Sequence, residues 1–192
     1  MAVRGEAGYR RVVRGWPVVF VVSTAAADPR PQAFVELEVG AGVASVSAES
    51  GLCGSYGAPD GVLALGHVGG GGGVFVGSTL AVVARAHATI ATTGTTASLS
   101  YFYGAGAQLR IAPRADPSEY WFFEIVPGYE AVGMGEVASS GGLGIAVRAG
   151  VNLSHVTLAL GTTLLVDPSP PRNYEQNDLT FVVGFHGGWL SE

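Results

Sequence analysis

The chain has 192 residues, of which 30 are Gly, ten are Arg and none is Lys; 13% are charged, 48% are hydrophobic, and the formal net charge is −5. A chain of this length is one domain, or at most two. Charge at about half and Gly at about twice the usual shares exclude a coiled coil and an ordinary charged-surface enzyme domain, the hydrophobic content excludes charge-driven disorder, and the lack of a basic patch counts against nucleic-acid binding.

The first residues differ in kind from the rest. Arg4, Arg10, Arg11 and Arg14 precede the apolar run Trp16-Pro17-Val18-Val19-Phe20-Val21-Val22, followed by Ser23-Thr24-Ala25-Ala26-Ala27. A basic head, a short apolar body and an Ala-x-Ala end are the pattern of a secretory signal peptide. Residues 1–27 are therefore expected to be removed on export, leaving 28–192 as a single domain. The apolar body falls well short of the roughly 20 residues a helix needs to span a bilayer. Cleavage takes away four Arg and Glu6, so the mature chain carries 6 Arg against 14 acids. Cys53 has no second cysteine to pair with and reads as an ordinary loop thiol.

From Val35 onward the chain alternates, which in a strand puts every second side chain on one face. Val35, Leu37, Val39, Ala41 and Val43 share a face opposite Glu36, Glu38, Gly40 and Gly42. A second strand is expected loosely over 62–77, with the run Gly69 to Gly73 marking a bulge or a kink. The third sets Ala84, Ala86, Ala88 and Ile90 against Arg85, His87 and Thr89; the fourth sets Leu99, Tyr101, Tyr103, Ala105, Ala107, Leu109 and Ile111 against Phe102, Gln108 and Arg110. Trp121, Phe123 and Ile125 oppose Phe122 and Glu124 in the fifth, and Leu143, Ile145, Val147, Ala149 and Val151 oppose Arg148 and Asn152 in the sixth. The seventh strand runs through Val156, Leu158 and Leu160 opposite His155 and Thr157. The eighth runs through Leu179, Phe181, Val183, Phe185 and Trp189 opposite Asp178, Thr180 and His186.

The connections 47–61, 92–97, 130–142 and 167–177 then fall at one end, and 78–79, 112–119 and 152–154 at the other. Longer loops at one end and shorter turns at the other suit a bacterial barrel with both termini in the periplasm, although 92–97 and 112–119 reverse the expected lengths. Each polar face holds only one or two ionisable groups among Gly, Ala, Ser and Thr, too few for the charged coat of a soluble sheet. A membrane barrel inverts the arrangement, with an apolar band and aromatic girdles outside and small and polar groups within. Closure also pairs every backbone N–H and C=O, as hydrocarbon requires.

The signal, strands such as Leu99-Ser100-Tyr101-Phe102-Tyr103-Gly104-Ala105-Gly106-Ala107-Gln108-Leu109-Arg110, and the aromatic closing strand Leu179 to Trp189 make the chain resemble the small outer-membrane β-barrel proteins of the OmpA-like and OmpX-like kind, over approximately 34–190. The resemblance implies an all-β fold, an eight-stranded antiparallel up-and-down transmembrane barrel behind a signal peptide, in the outer membrane of a Gram-negative bacterium. Such proteins usually end on an aromatic residue, whereas here Leu190-Ser191-Glu192 follow Trp189.

With that parity Glu36, Glu38, Arg85, His87, Gln108, Arg110, Glu124, Arg148, His155 and His186 project into the lumen. Three acids and three Arg balance there, as buried charges must, and an eight-stranded barrel has an interior just wide enough for side chains to fill. The expected role is structural or surface-interacting, without catalysis, with outer-membrane lipid as the surroundings and loops 47–61 and 167–177 as the surface for a partner. A small pore or passive transporter lined by the same groups is the alternative; a soluble secreted lipocalin-like ligand-binding barrel is a third. No nucleophile, base and orienting carboxylate converge as an acyl-transfer site needs, the histidines lack the close spacing of metal ligands, and no cofactor motif is present.

Overall fold

The computed structural model describes residues 33–48, 61–92, 97–111, 119–134, 138–169 and 174–189. The signal segment and Cys53 lie outside the described residues. Eight strands follow in order: β1 (Ala33–Ala48), β2 (Gly61–Phe75), β3 (Leu80–Thr92), β4 (Ala97–Ile111), β5 (Glu119–Met134), β6 (Ala138–Leu153), β7 (Val156–Ser169) and β8 (Tyr174–Trp189). Each pairs antiparallel with its neighbours in sequence, and β8 returns to β1 along the whole length, Ala33 opposite Trp189 through Ala48 opposite Tyr174. The result is a closed up-and-down barrel, the fold class expected from the alternation.

The strands run longer than their apolar runs. Residues 130–142 were expected as a loop, yet β5 continues to Met134 and β6 begins at Ala138, so only 135–137 separates them. The expected partner-binding loops 47–61 and 167–177 shrink in the same way, to 49–60 and 170–173, because their flanks pair as sheet. A 16-residue strand climbs roughly 40 Å at the tilt of a closed barrel, more than the apolar band of about 25 Å. The wall therefore continues beyond the band with Gly, Ser and Asn in it, a composition that resembles a loop.

The glycine run is also regular. Gly69 to Gly73 pair without a register shift with Glu38 to Phe34 on β1 and with His87 to Val83 on β3. No bulge is needed, because the demand for glycine comes from the lumen. A Cβ at Gly71 would lie 2.6 Å from Arg85 Cδ, and one at Gly69 would lie 2.6 Å from His87 Cβ. The register shift in the β6–β7 pair occurs between Leu143 and Gly144, opposite the extra residue Val166 on β7.

The barrel is inside out relative to a soluble one. Leu37 (73% exposed), Val62 (72%), Tyr103 (61%), Trp121 (56%) and Phe185 (69%) cover the exterior, while Glu36, Arg85, Arg110, Glu124 and Arg148 are buried inside. Among charged residues whose side chains are described, only Glu119, at the start of β5, is not buried. A continuous apolar exterior of this extent is not kept in water by soluble monomers. A lipocalin-like barrel would turn these same side chains inward, so the soluble alternative is overturned.

Candidate functional site: the charged interior

The lumen is stacked in three tiers. At the end that carries the turn Val76–Thr79, the aromatic rings of Phe75 and Tyr120 enclose the Arg110 guanidinium, whose central carbon lies 3.8 Å and 3.9 Å from the two ring centroids. Phe122, Ala159 and Val182 complete a buried apolar cluster there. His186 stacks on Phe34 with centroids 5.1 Å apart. A cation between two aromatic faces is attracted by both ring quadrupoles, and more strongly when it is shielded from water.

The middle tier holds the main ionic network. Glu124 is its hub: Arg85 donates from Nε to one carboxylate oxygen at 2.8 Å and from Nη2 to the other at 2.9 Å, and Gln108 Nε2 donates to the second at 3.0 Å. Arg85 Nη1 reaches Glu36 at 3.0 Å. Arg148 Nη2 bridges Glu36 at 3.0 Å and Glu38 at 2.7 Å, and its Nη1 lies 3.6 Å from Glu124. Glu38 also meets His67 Nε2 at 3.0 Å. Two guanidinium groups thus hold three carboxylates, with His67 against the third. The two-pronged Arg85–Glu124 contact supplies the strongest kind of geometry available to such groups, and each carboxylate, at most 4% exposed, depends on it because a buried charge without a partner is costly.

The outer tier is uncharged or acidic. Gln176 accepts from Ser98 Oγ at 2.7 Å and donates to Thr89 Oγ1 at 3.1 Å; Ser100 Oγ donates to Glu130 at 3.0 Å; the Thr163 N–H donates to Asp178 Oδ1 at 2.8 Å. Beside them Ala44, Val46, Leu63, Leu65, Ala91 and Val132 pack as a buried apolar cluster.

Of the residues expected in the lumen network, Glu36, Glu38, Arg85, Gln108, Glu124 and Arg148 come together. Arg110 does not join them: it belongs to the aromatic tier, so the three acids of the network meet two Arg, with the His67 ring against Glu38. His87 enters no ion pair; its ring stacks on Phe102 at 5.0 Å and its Nε2 lies 3.1 Å from Thr163 Oγ1. His155 is corrected as well. It is exposed in the two-residue turn Ser154-His155 rather than inward on a strand, and its carbonyl accepts from the His186 N–H at 2.8 Å. Glu130, Gln176 and the His67–Glu38 contact were missed. The signal for Glu130 was the alternation begun at Trp121, which continues through Pro127-Gly128 as if no breaker stood there.

A void of about 10 Å³ opens between the middle and outer tiers beside Gly161. Around it the described side chains of the three tiers pack the lumen, as the width of an eight-stranded barrel allows.

No family model and no curated protein matches the chain. Solved structures do. The crystal structure of Neisserial surface protein A is matched with a TM-score of 0.56 and 14% identity, over 80% of this chain and 96% of that one. Ail, the attachment invasion locus protein of Yersinia pestis, is matched with a TM-score of 0.53 and 9% identity, over 81% of this chain and 99% of that one. Ail in complex with the heparin analogue sucrose octasulfate gives a TM-score of 0.50, also at 9% identity and over 81% of this chain and 99% of that one. At these identities the likeness is of fold. The chain has the architecture of the small outer-membrane β-barrels of the OmpA-like and OmpX-like kind.

Proposed function

We propose that this chain is a non-catalytic outer-membrane β-barrel protein of a Gram-negative bacterium, whose transmembrane part is a closed scaffold and whose role is structural or surface-interacting. The observation that carries the reading is the division of charge. The exterior is apolar and suits hydrocarbon, while buried carboxylates and guanidinium groups pair inside the lumen. Among the described residues, the aromatic tier at one end and the packed Ala44–Leu65–Val132 cluster at the other fill part of the lumen, which supports a closed scaffold over a pore.

A scaffold of this kind acts through what it displays. The connections within 47–61 and 167–177 are the segments proposed to meet a partner, and the fold shared with the attachment invasion locus protein supports a surface role. The mature chain carries 6 Arg against 14 acids, so the favoured partner is not the polyanion seen with that protein but a neutral or cationic surface.

Reconstitution in planar bilayers separates this reading from the pore. A closed scaffold gives no reproducible conductance step, and cell fractionation recovers it with the outer membrane. A uniform step at constant voltage that changes with Arg148→Met would instead establish a small pore lined by the charged tier.

A further inference from the structure

The hydrogen bonds of the interior form separate systems on either side of the histidine pair. One runs through Gln108, Glu124, Arg85, Glu36, Arg148 and Glu38 to His67. The other begins at His87 and passes through Thr163 to Asp178. Where they meet, the rings of His67 and His87 touch with centroids 4.9 Å apart and planes 41° apart, a packing contact through which no hydrogen bond passes. The 10 Å³ void lies at this junction, with Glu38, His67 and Arg148 on one side and His87, Thr163 and Thr180 on the other.

We propose that this void is a binding site for one water molecule, which joins the middle and outer tiers into a single hydrogen-bonded network. Its size is that at which a cavity first admits a water, roughly 10–15 Å³. Its lining sets Glu38, His67, Arg148 and threonine hydroxyls beside Ala146, Gly161 and Val182, so it holds the polar partners a water needs, whereas cavities that stay dry are apolar throughout. Two of its lining groups also lack what a water supplies. His67 Nδ1 and Arg148 Nε are buried and make no hydrogen bond to another protein group, on side chains 5% and 8% exposed. A buried polar atom left without a partner is destabilising. A water can accept from a guanidinium N–H, meet an imidazole nitrogen in either tautomer, and donate to a hydroxyl or carboxylate oxygen.

On β7 and β8 the void is lined by Gly161, Thr162, Thr163, Thr180 and Val182, and the β7–β8 ladder stops immediately beyond, at Thr163 opposite Asp178. The site stands whether or not the barrel conducts.

Water-to-imidazole cross-relaxation in the folded barrel, with histidine labelled and the protein in detergent micelles, tests the proposal. The wild type should show contacts from a long-lived water to the rings of both His67 and His87. In Gly161→Ala the new methyl would stand 3.2 Å from Thr180 Oγ1 and 3.3 Å from Arg148 Cγ, inside the void. Both contacts should then be lost while the rest of the spectrum and the heat-modifiable gel migration persist. Thr163→Val, which keeps the volume and removes the hydroxyl, should abolish the His87 contact and needs no added atom to fit. Rings without a water contact in the wild type, or contacts that survive both substitutions, would overturn the site.

Discussion

The β5–β6 and β7–β8 hairpins are built from strands of similar length and are closed very differently. In the first, pairing is unbroken from Glu119 opposite Leu153 to Met134 opposite Ala138, and Glu124 stands directly opposite Arg148 at its middle. In the second, pairing begins at Val156 opposite Phe185 and ends at Thr163 opposite Asp178, although both strands continue. Beyond that point β7 pairs with β6 and β8 pairs with β1. The cause lies in β7. The extra residue Val166 forms a β-bulge, which bends and twists a strand, and Pro168, two residues on, has no N–H to give to a ladder. Where the ladder stops, side chains take over: Asp178 Oδ1 accepts the Thr163 N–H at 2.8 Å and Thr162 Oγ1 donates to the Asp178 carbonyl at 2.5 Å. One hairpin is thus joined by backbone along its whole length and by ions at its centre. The other is joined for half its length and finished by hydroxyl and carboxylate caps.

Removing the ionic join should have the largest effect. Glu124→Gln keeps the shape but leaves Arg85 with Glu36 as its remaining close carboxylate and turns an amide toward guanidinium donors. Loss of one partner from a buried pair is expected to cost about 3–5 kcal/mol, read as a lower denaturant midpoint for unfolding in micelles. The equivalent change in the other hairpin, Asp178→Asn, retains an acceptor for Thr163 and removes no ion pair, so it should leave the midpoint nearly unchanged. Equal effects from the two substitutions would mean that the charges do not distinguish the hairpins.

Asp178→Ala is a harsher test of the capped end, since it leaves the Thr163 N–H buried without its acceptor. A cost of about 1–3 kcal/mol follows from stranding one such group, smaller than that at Glu124. Amide exchange supplies the local reading. Leu165 and Gln176, whose N–H groups face the unpaired seam by alternation from Thr163 and His186, should exchange faster than Ile145, Val147 and Val126 in the wild type, because regions with fewer paired backbone groups open more readily. In Asp178→Ala the fast zone should extend down to Thr163. Uniform protection along β7 and β8 would contradict the early end of their ladder.

The contrast also marks what could be read from residues alone. Alternation at Val35–Val43 and Leu99–Ile111 identified the outward face because lipid imposes one rule on every second position, and Glu36, Glu124 and Arg148 followed from the same parity. Arg110 is a different matter. Parity places it inside but says nothing of height, and height decides whether it meets carboxylates or the rings of Phe75 and Tyr120. Glu130 and the full lengths of β5 and β6 were hidden because Pro127-Gly128 and Gly141-Gly142 have the composition of loops. In the wall, Pro127 faces outward, at the place where the β4–β5 register skips Ala105 and Gly106. The end of the β7–β8 ladder depends on a bulge one strand away, a relation between strands that no local pattern carries.

The smallest expected effect lies at the turn that joins the two hairpins. Leu153 opposes Val156 across Ser154-His155, and Ser154 has φ 62°, the left-handed region in which a side chain is disfavoured. A two-residue hairpin turn with positive φ at its first central position is best served by glycine there. Ser154 is exposed, so its replacement disturbs no packing. Ser154→Gly relieves local strain on the order of 1 kcal/mol and returns part of it as entropy of the unfolded chain. The net gain should be about 0.5 kcal/mol, seen as a slightly higher unfolding midpoint, with amide exchange at Leu165 and Gln176 unaltered. A loss of stability instead would show that the serine side chain holds the turn. The link between the fully paired hairpin and the half-paired one would then be specified by a side chain and not by backbone geometry.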